Sequence, residues 1–258
     1  MNFKRSHLAK LLVLAIAFFS LTFLCPQFPI FPTPNLPVSQ SPSLPSPKPH
    51  PLPKSLARSQ IPEEVGDYFS QIKTTAVGYL VWSKFPLKIY LEQPDSVDNS
   101  ASNQRFQQWV IAIRNAIAEW NIYLPLIEIE NAELADIVIT RSQVDRDIQL
   151  DPETGLYKIP RAITAQTSYE FYLSSDTPQI LRHRMKIQIS PDLGKNATLA
   201  TARHELGHAL GIWGHSDRET DALYFSQVSD PPAISPRDIN TLKKIYQQPT
   251  RLGWKINN

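Results

Sequence analysis

Apolar and polar positions alternate with different periods along this chain. Leu87-Lys-Ile-Tyr-Leu91 alternates strictly and predicts a strand. Between Ser102 and Tyr123 the period lengthens. Phe106, Trp109, Val110, Ile113, Ile117 and Trp120 fall on one helical face, while Gln104, Gln107, Gln108, Arg114, Asn115 and Glu119 point elsewhere. Pro125 ends that helix. Leu126 to Ile129 and Ala135 to Thr140 read as two more strands, the second nearly continuous in apolar character, as in a central strand. Gln166 to Leu173 and Met185 to Ile189 complete the strand set. Asn196 offers an N-cap for a helix running to Gly211, with Leu199, Ala202, Leu206 and Leu210 facing a core. Ser235-Pro236-Arg237-Asp238 is a capping box with proline at the first helical position. It opens a final helix carrying Ile239, Leu242, Ile245 and Tyr246. A weaker set, Val65, Phe69 and Ile72, predicts a lead-in helix within 63–80. The order predicts an α+β domain: one twisted mixed sheet, two long helices packed on it, and a third helix at the C-terminus.

Upstream of residue 63 the pattern changes. Leu11 to Leu24 is apolar except for Ser20 and Thr22 and follows Lys4, Arg5 and Lys10. That is the length of an export-signal core and short for a membrane span, which needs about 20 residues. No small-residue cleavage site follows, and Cys25 lacks the small residue before it that a lipoprotein box requires. Residues 1–25 therefore read as a signal peptide or an uncleaved signal anchor, which places the domain outside the cytoplasm. Of the 23 prolines, 12 lie in residues 26–62. Proline at that density favours extended polyproline II, so this stretch reads as a semi-rigid linker. The domain is expected over 63–250.

Charge and cysteine narrow the chemistry. The whole chain carries a net +2, but six basic residues and no acid fall in the first 60 positions. The remainder is mildly acidic, against a nucleic-acid partner read through a basic face. Cys25 is the only cysteine, so the domain has no disulfide, no thiolate ligand and no cysteine nucleophile.

Three of the six histidines, His204, His208 and His215, fall within twelve residues. On a helix, positions i and i+4 share a face, so His204 and His208 can hold one metal ion. Neutral imidazole suits zinc. Glu205 is one position round, near enough to take a proton from a water on the metal. His204-Glu-Leu-Gly-His208 is thus the arrangement of a zinc hydrolase. Gly211 can end the helix in a left-handed turn and send the chain back towards the metal.

The run His204-Glu-Leu-Gly-His208-Ala-Leu-Gly211-Ile-Trp-Gly-His215-Ser216 resembles the zinc signature of the metzincin metalloproteases, most closely the matrixins. Thr220-Asp-Ala-Leu-Tyr224 resembles the turn that follows the third ligand in that family. Ser235 to Tyr246 resembles the family's closing helix. The resemblance implies a metzincin-like catalytic domain and one catalytic Zn2+ on His204, His208 and His215. It implies an exported endopeptidase in which Glu205 activates the zinc-bound water. Protein or peptide substrate is the expected partner, bound along the edge of the strand Gln166 to Leu173, and a monomer is expected. Two departures stand out. The third histidine comes eleven residues after the first rather than ten, with Trp213 the apparent extra residue between Gly211 and Gly214, whose access to positive φ on either side lets the loop absorb it. Asp217 is the rival third ligand. Leu223 stands where the family has a methionine beneath the metal, a swap that nearly conserves volume. Tyr224 reads as a packing residue. Asp151 and Glu153 are candidate loop ligands for Ca2+ but match no known calcium loop. The alternative function is a tethered, non-catalytic zinc-containing binding module at the cell surface.

Overall fold

The computed structural model describes residues 43–95, 98–144, 149–150, 157–158, 163–226, 228 and 230–256. The signal-like segment, the first part of the proline-rich stretch, and Asp151 and Glu153 lie outside the described residues.

The elements in chain order are α1 (Lys54–Arg58), β1 (Leu87–Leu91), α2 (Ala101–Asn121), β2 (Leu126–Ile129), β3 (Ile137–Arg141), β4 (Gln149–Leu150), β5 (Tyr157–Lys158), β6 (Ala165–Leu173), β7 (Leu181–Ile189), α3 (Lys195–Ala209) and α4 (Pro236–Tyr246). Five strands form one mixed sheet in the order β2-β1-β3-β7-β6. All pairs are parallel except β6 with β7. β4 and β5 form a separate small antiparallel pair. The expected α+β class is met.

Alternation along the strands builds the core. Leu91, Ile139, Ile187 and Thr167 lie in one row across the sheet, and Ile89, Ile137, Met185 and Tyr169 in the next. Every aliphatic member of these rows is buried. Thr167 is the polar end of its row, at the sheet edge. Helix α3 packs against β6 and β7, and α2 packs against α3. Trp120 of α2 donates its indole N–H to the Arg203 carbonyl at 3.0 Å, and Arg203 forms a fork to the Glu119 carboxylate.

Helix starts show which sequence signals were decisive. The box at α4 forms in both directions: Ser235 Oγ accepts from the Asp238 N–H, and Asp238 accepts from the Ser235 N–H. At α3 the expectation of an Asn196 cap is corrected. The helix begins at Lys195 after Gly194, and no side chain caps it. Thr198 closes the first turn instead, donating its hydroxyl to the Leu193 and Gly194 carbonyls.

Two expectations upstream are also corrected. In place of a lead-in helix, residues 63–80 contain two short 3-10 turns, Glu63–Val65 and Phe69–Gln71. Gly66 separates them at φ 82, a conformation that ends a helix. The proline-rich stretch does not stand clear of the domain as far as residue 62. Leu56 is 0% exposed in the core, Lys48 exchanges two backbone hydrogen bonds with Thr250, and His50 stacks on Trp254. Proline removes donors but leaves carbonyls free. Pro45 accepts from Arg251, and Pro62 accepts from Asn240 at 3.1 Å. The folded body therefore extends at both ends beyond 63–250.

No described helix is long and apolar enough to cross a membrane.

Candidate metal centre

Helix α3 presents His204, Glu205 and His208 on consecutive turns, while Ala202, Leu206 and Ala209 are buried in the core. The Leu210 N–H bonds back to the Leu206 carbonyl and the Ile212 N–H to that of Gly207, closing the helix around Gly211 at φ 123. A Cβ on residue 211 would meet the Leu80 carbonyl oxygen at 2.6 Å. The chain turns back there, and His215 joins the other two. One ring nitrogen from each of His204, His208 and His215 lies within 4.8 Å of the other two.

The tautomers follow from the partners. His204 Nδ1 lies 3.0 Å from the Ala222 carbonyl, and His208 Nδ1 lies 2.7 Å from the Ile212 carbonyl. A carbonyl only accepts, so both Nδ1 atoms carry the proton. Both Nε2 atoms are then bare, yet they face each other at 3.1 Å. Burial holds both rings neutral, pressing His204 down to about 4 and His208 to about 3, each pushed further by neighbouring histidine. Burial and the Lys73 ammonium lower His215 as well. Two neutral donor atoms aimed at one point, with a third imidazole beside them, fit a cation such as zinc.

Asp217 is not part of this cluster. Its side chain is 78% exposed and lies 3.5 Å from Arg237 Nη2. Among the expected ligands, the geometry brings together the three histidines.

Glu205 is buried beside them. Thr167 of the edge strand donates its hydroxyl to Glu205 Oε2 at 2.6 Å. Burial pushes the Glu205 carboxyl up to about 7, against the opposing pull of that hydrogen bond. Thr167 was not singled out from the sequence. The available signal was a lone hydroxyl on the inward face of an otherwise apolar row.

Two glycines are set by close approach. A Cβ on Gly207 would sit 2.5 Å from Leu223 Cδ2, so the fully buried Leu223 seats directly against the histidine helix. Gly214 was expected to supply a positive φ, and this is corrected: among the described residues only Gly66, Gly78, Gly211 and Gly253 do so. Gly214 is needed because the Gln71 carbonyl oxygen would lie 2.4 Å from a Cβ there.

A cavity of about 240 Å3 opens next to Glu205 and His204. Ala200 and Thr201 of α3 form one wall, and Ala222, Tyr224, Phe225 and Pro231 form the other. Tyr224 belongs to this wall, its ring tilted against that of Phe225 at 4.5 Å between centroids.

No protein-family model matches this chain, and neither does any characterised protein.

Proposed function

We propose that this chain is a zinc-dependent endopeptidase of the metzincin, matrixin-like type, exported by its N-terminal segment. One observation carries the reading: two bare Nε2 atoms face each other at 3.1 Å beside a third histidine, with a buried carboxylate next to them. His204, His208 and His215 would hold the metal. Zinc there supplies a Lewis acid that polarises a peptide carbonyl and lowers the pKa of water.

The chain's own residues account for the remaining steps. Glu205 takes a proton from the attacking water and returns it to the leaving amine. A carboxyl poised near neutrality can do both. Thr167 fixes which Glu205 oxygen is occupied and leaves the other for the water. Among the described strands β6 pairs only with β7, so its outer edge has backbone groups free for an extended peptide. The cavity beside His204 takes one apolar side chain of that peptide. Among the described residues its wall offers Ala200, Ala222, Phe225 and Pro231, with the Asp221 carboxylate and no cationic group.

The test is Glu205→Gln in the zinc-loaded protein, assayed on a peptide library. Zinc content should stay at one per chain while hydrolysis falls by ~10²–10⁴. A parent protein that takes up no zinc, or a variant that cleaves at the parent rate, overturns the reading.

A further inference from the structure

The segment before the sheet is tied to the histidine cluster by two separate routes. The first begins at Tyr68, which is buried under α4. Its hydroxyl donates to Asp238 Oδ1 at 2.5 Å, and its backbone N–H donates to Thr241 Oγ1 at 3.0 Å. Asp238 is 0% exposed. Its other oxygen, Oδ2, accepts from the Ala222 N–H at 2.9 Å and the Ser235 N–H at 2.7 Å. The far side of residue 222 is the carbonyl that takes the proton of His204 Nδ1. Tyr68, Asp238, Ala222 and His204 thus form one continuous chain of hydrogen bonds.

The second route runs through the loop that carries His215. Lys73 donates its backbone N–H to the Trp213 carbonyl at 2.9 Å. Gln71 lies so close that residue 214 has no room for a side chain. The strap itself is pinned to α4. Lys244 pairs with Asp67 at 2.6 Å, Arg237 donates to the Asp67 carbonyl at 3.1 Å, and Asn240 donates to the Pro62 and Gly66 carbonyls.

We propose that residues 66–73 are a positioning strap for the metal centre, with Tyr68 and Asp238 as its positioning residues. They touch neither substrate nor metal. Asp238 holds residue 222 through its N–H, the carbonyl on the other side of that residue fixes the ring orientation and tautomer of His204, and Tyr68 fixes Asp238. Groups that orient a ligating histidine in this way typically change metal affinity by ~10–100-fold when removed. This inference rests on the metal reading above.

Three single variants of the full-length protein test it: Tyr68→Phe, Asp238→Asn, and Ile89→Val as a control. Ile89→Val trims a buried side chain in the sheet and lowers stability modestly without touching the strap. Zinc titration should show affinity falling ~10–100-fold in Asp238→Asn, less but in the same direction in Tyr68→Phe, and not at all in Ile89→Val. Imidazole 15N spectra of the metal-free protein give a readout independent of metal. They should show a single Nδ1–H form for His204 in the parent and a mixture in the two strap variants. Strap variants that match Ile89→Val in zinc affinity overturn the proposal. If the parent binds no zinc, the metal reading falls by itself and the spectra decide the strap: unchanged His204 signals in Tyr68→Phe overturn it too.

Discussion

Among the described residues imidazole is buried in two places, and one of them looks like a site. His183 on β7 is 2% exposed and faces the core between Leu181 and Met185. Its ring lies 3.7 Å from that of Trp82, and its Nε2 has no hydrogen-bond partner. Burial alone presses it down to about 3, the same value reached by His208. The two rings are therefore equally neutral and equally dry. The difference is in their neighbours. His208 has a carbonyl that fixes its proton on Nδ1 and two other imidazoles converging on its Nε2. His183 has an aromatic face and, among the described residues, no group of ligating side chains to share an ion with. Burial makes a histidine a neutral donor, and convergence gives a group of them that could hold a metal ion.

The comparison is broken most directly at the cluster. His215→Ala removes the third imidazole and leaves two. Zinc affinity should fall by more than the ~10–100-fold typical of losing an outer partner, and hydrolysis should fall with it. Equilibrium zinc titration measures this. Retained affinity would mean that the convergence of the three rings has no role in binding.

The next test is at the other imidazole. His183→Leu should leave zinc affinity unchanged. Its signature is in acid stability. Above about pH 6.5 His183 is neutral both folded and unfolded, so it adds no pH dependence. Below that, the unfolded chain takes up a proton that the folded protein refuses until about pH 3. Stability is lost as pH falls through this window, by ~1.4 kcal/mol per pH unit for one proton. Denaturant melts of both proteins in the same metal state should show His183→Leu flatter by that slope between pH 4 and 6. Equal slopes would mean that His183 is protonated in the folded protein.

Several local signals in the sequence held, although the Asn196 cap and the helix within 63–80 did not. The box at Ser235 and Asp238 formed as written, because both partners lie within one turn. The stop at Gly211 formed because a left-handed residue has few other uses at a helix end. The edge strand also matched, as β6, because its alternation holds over the seven residues from Ala165 to Phe171. The remaining misreadings came from contacts made across long sequence distances. Gly214 is explained only by Gln71, and Thr167 only by Glu205. Asp238 was legible as a cap, but not as the anchor of the peptide that holds His204. The packing of residues 43–62 was hidden because proline density argues for an extended chain and is silent on what an extended chain lies against.

The smallest expected effect separates the two candidates for the third ligand. Sequence alone left Asp217 open, two residues after His215, in a loop whose extra residue blurs the spacing. The fold gives that extra residue a place. Trp213 packs edge-on against Tyr169 at 5.1 Å and gives its carbonyl to Lys73, so the added length is taken up towards β6 and the strap. His215 is left among the other histidines, and its ring stacks near His204 at 5.1 Å. Asp217 points instead towards Arg237, which the buried Asp221 already neutralises at 3.2 Å. The Asp217 carboxylate is exposed to solvent, 3.5 Å from an already neutralised Arg237, and such a pair contributes ~0–1 kcal/mol. Asp217→Ala should therefore keep zinc affinity and hydrolysis within about a factor of ten, and move the melting temperature by only a few degrees. If Asp217→Ala loses the metal while His215→Ala retains it, the loop after Gly211 is threaded the other way and Trp213 is not the inserted residue.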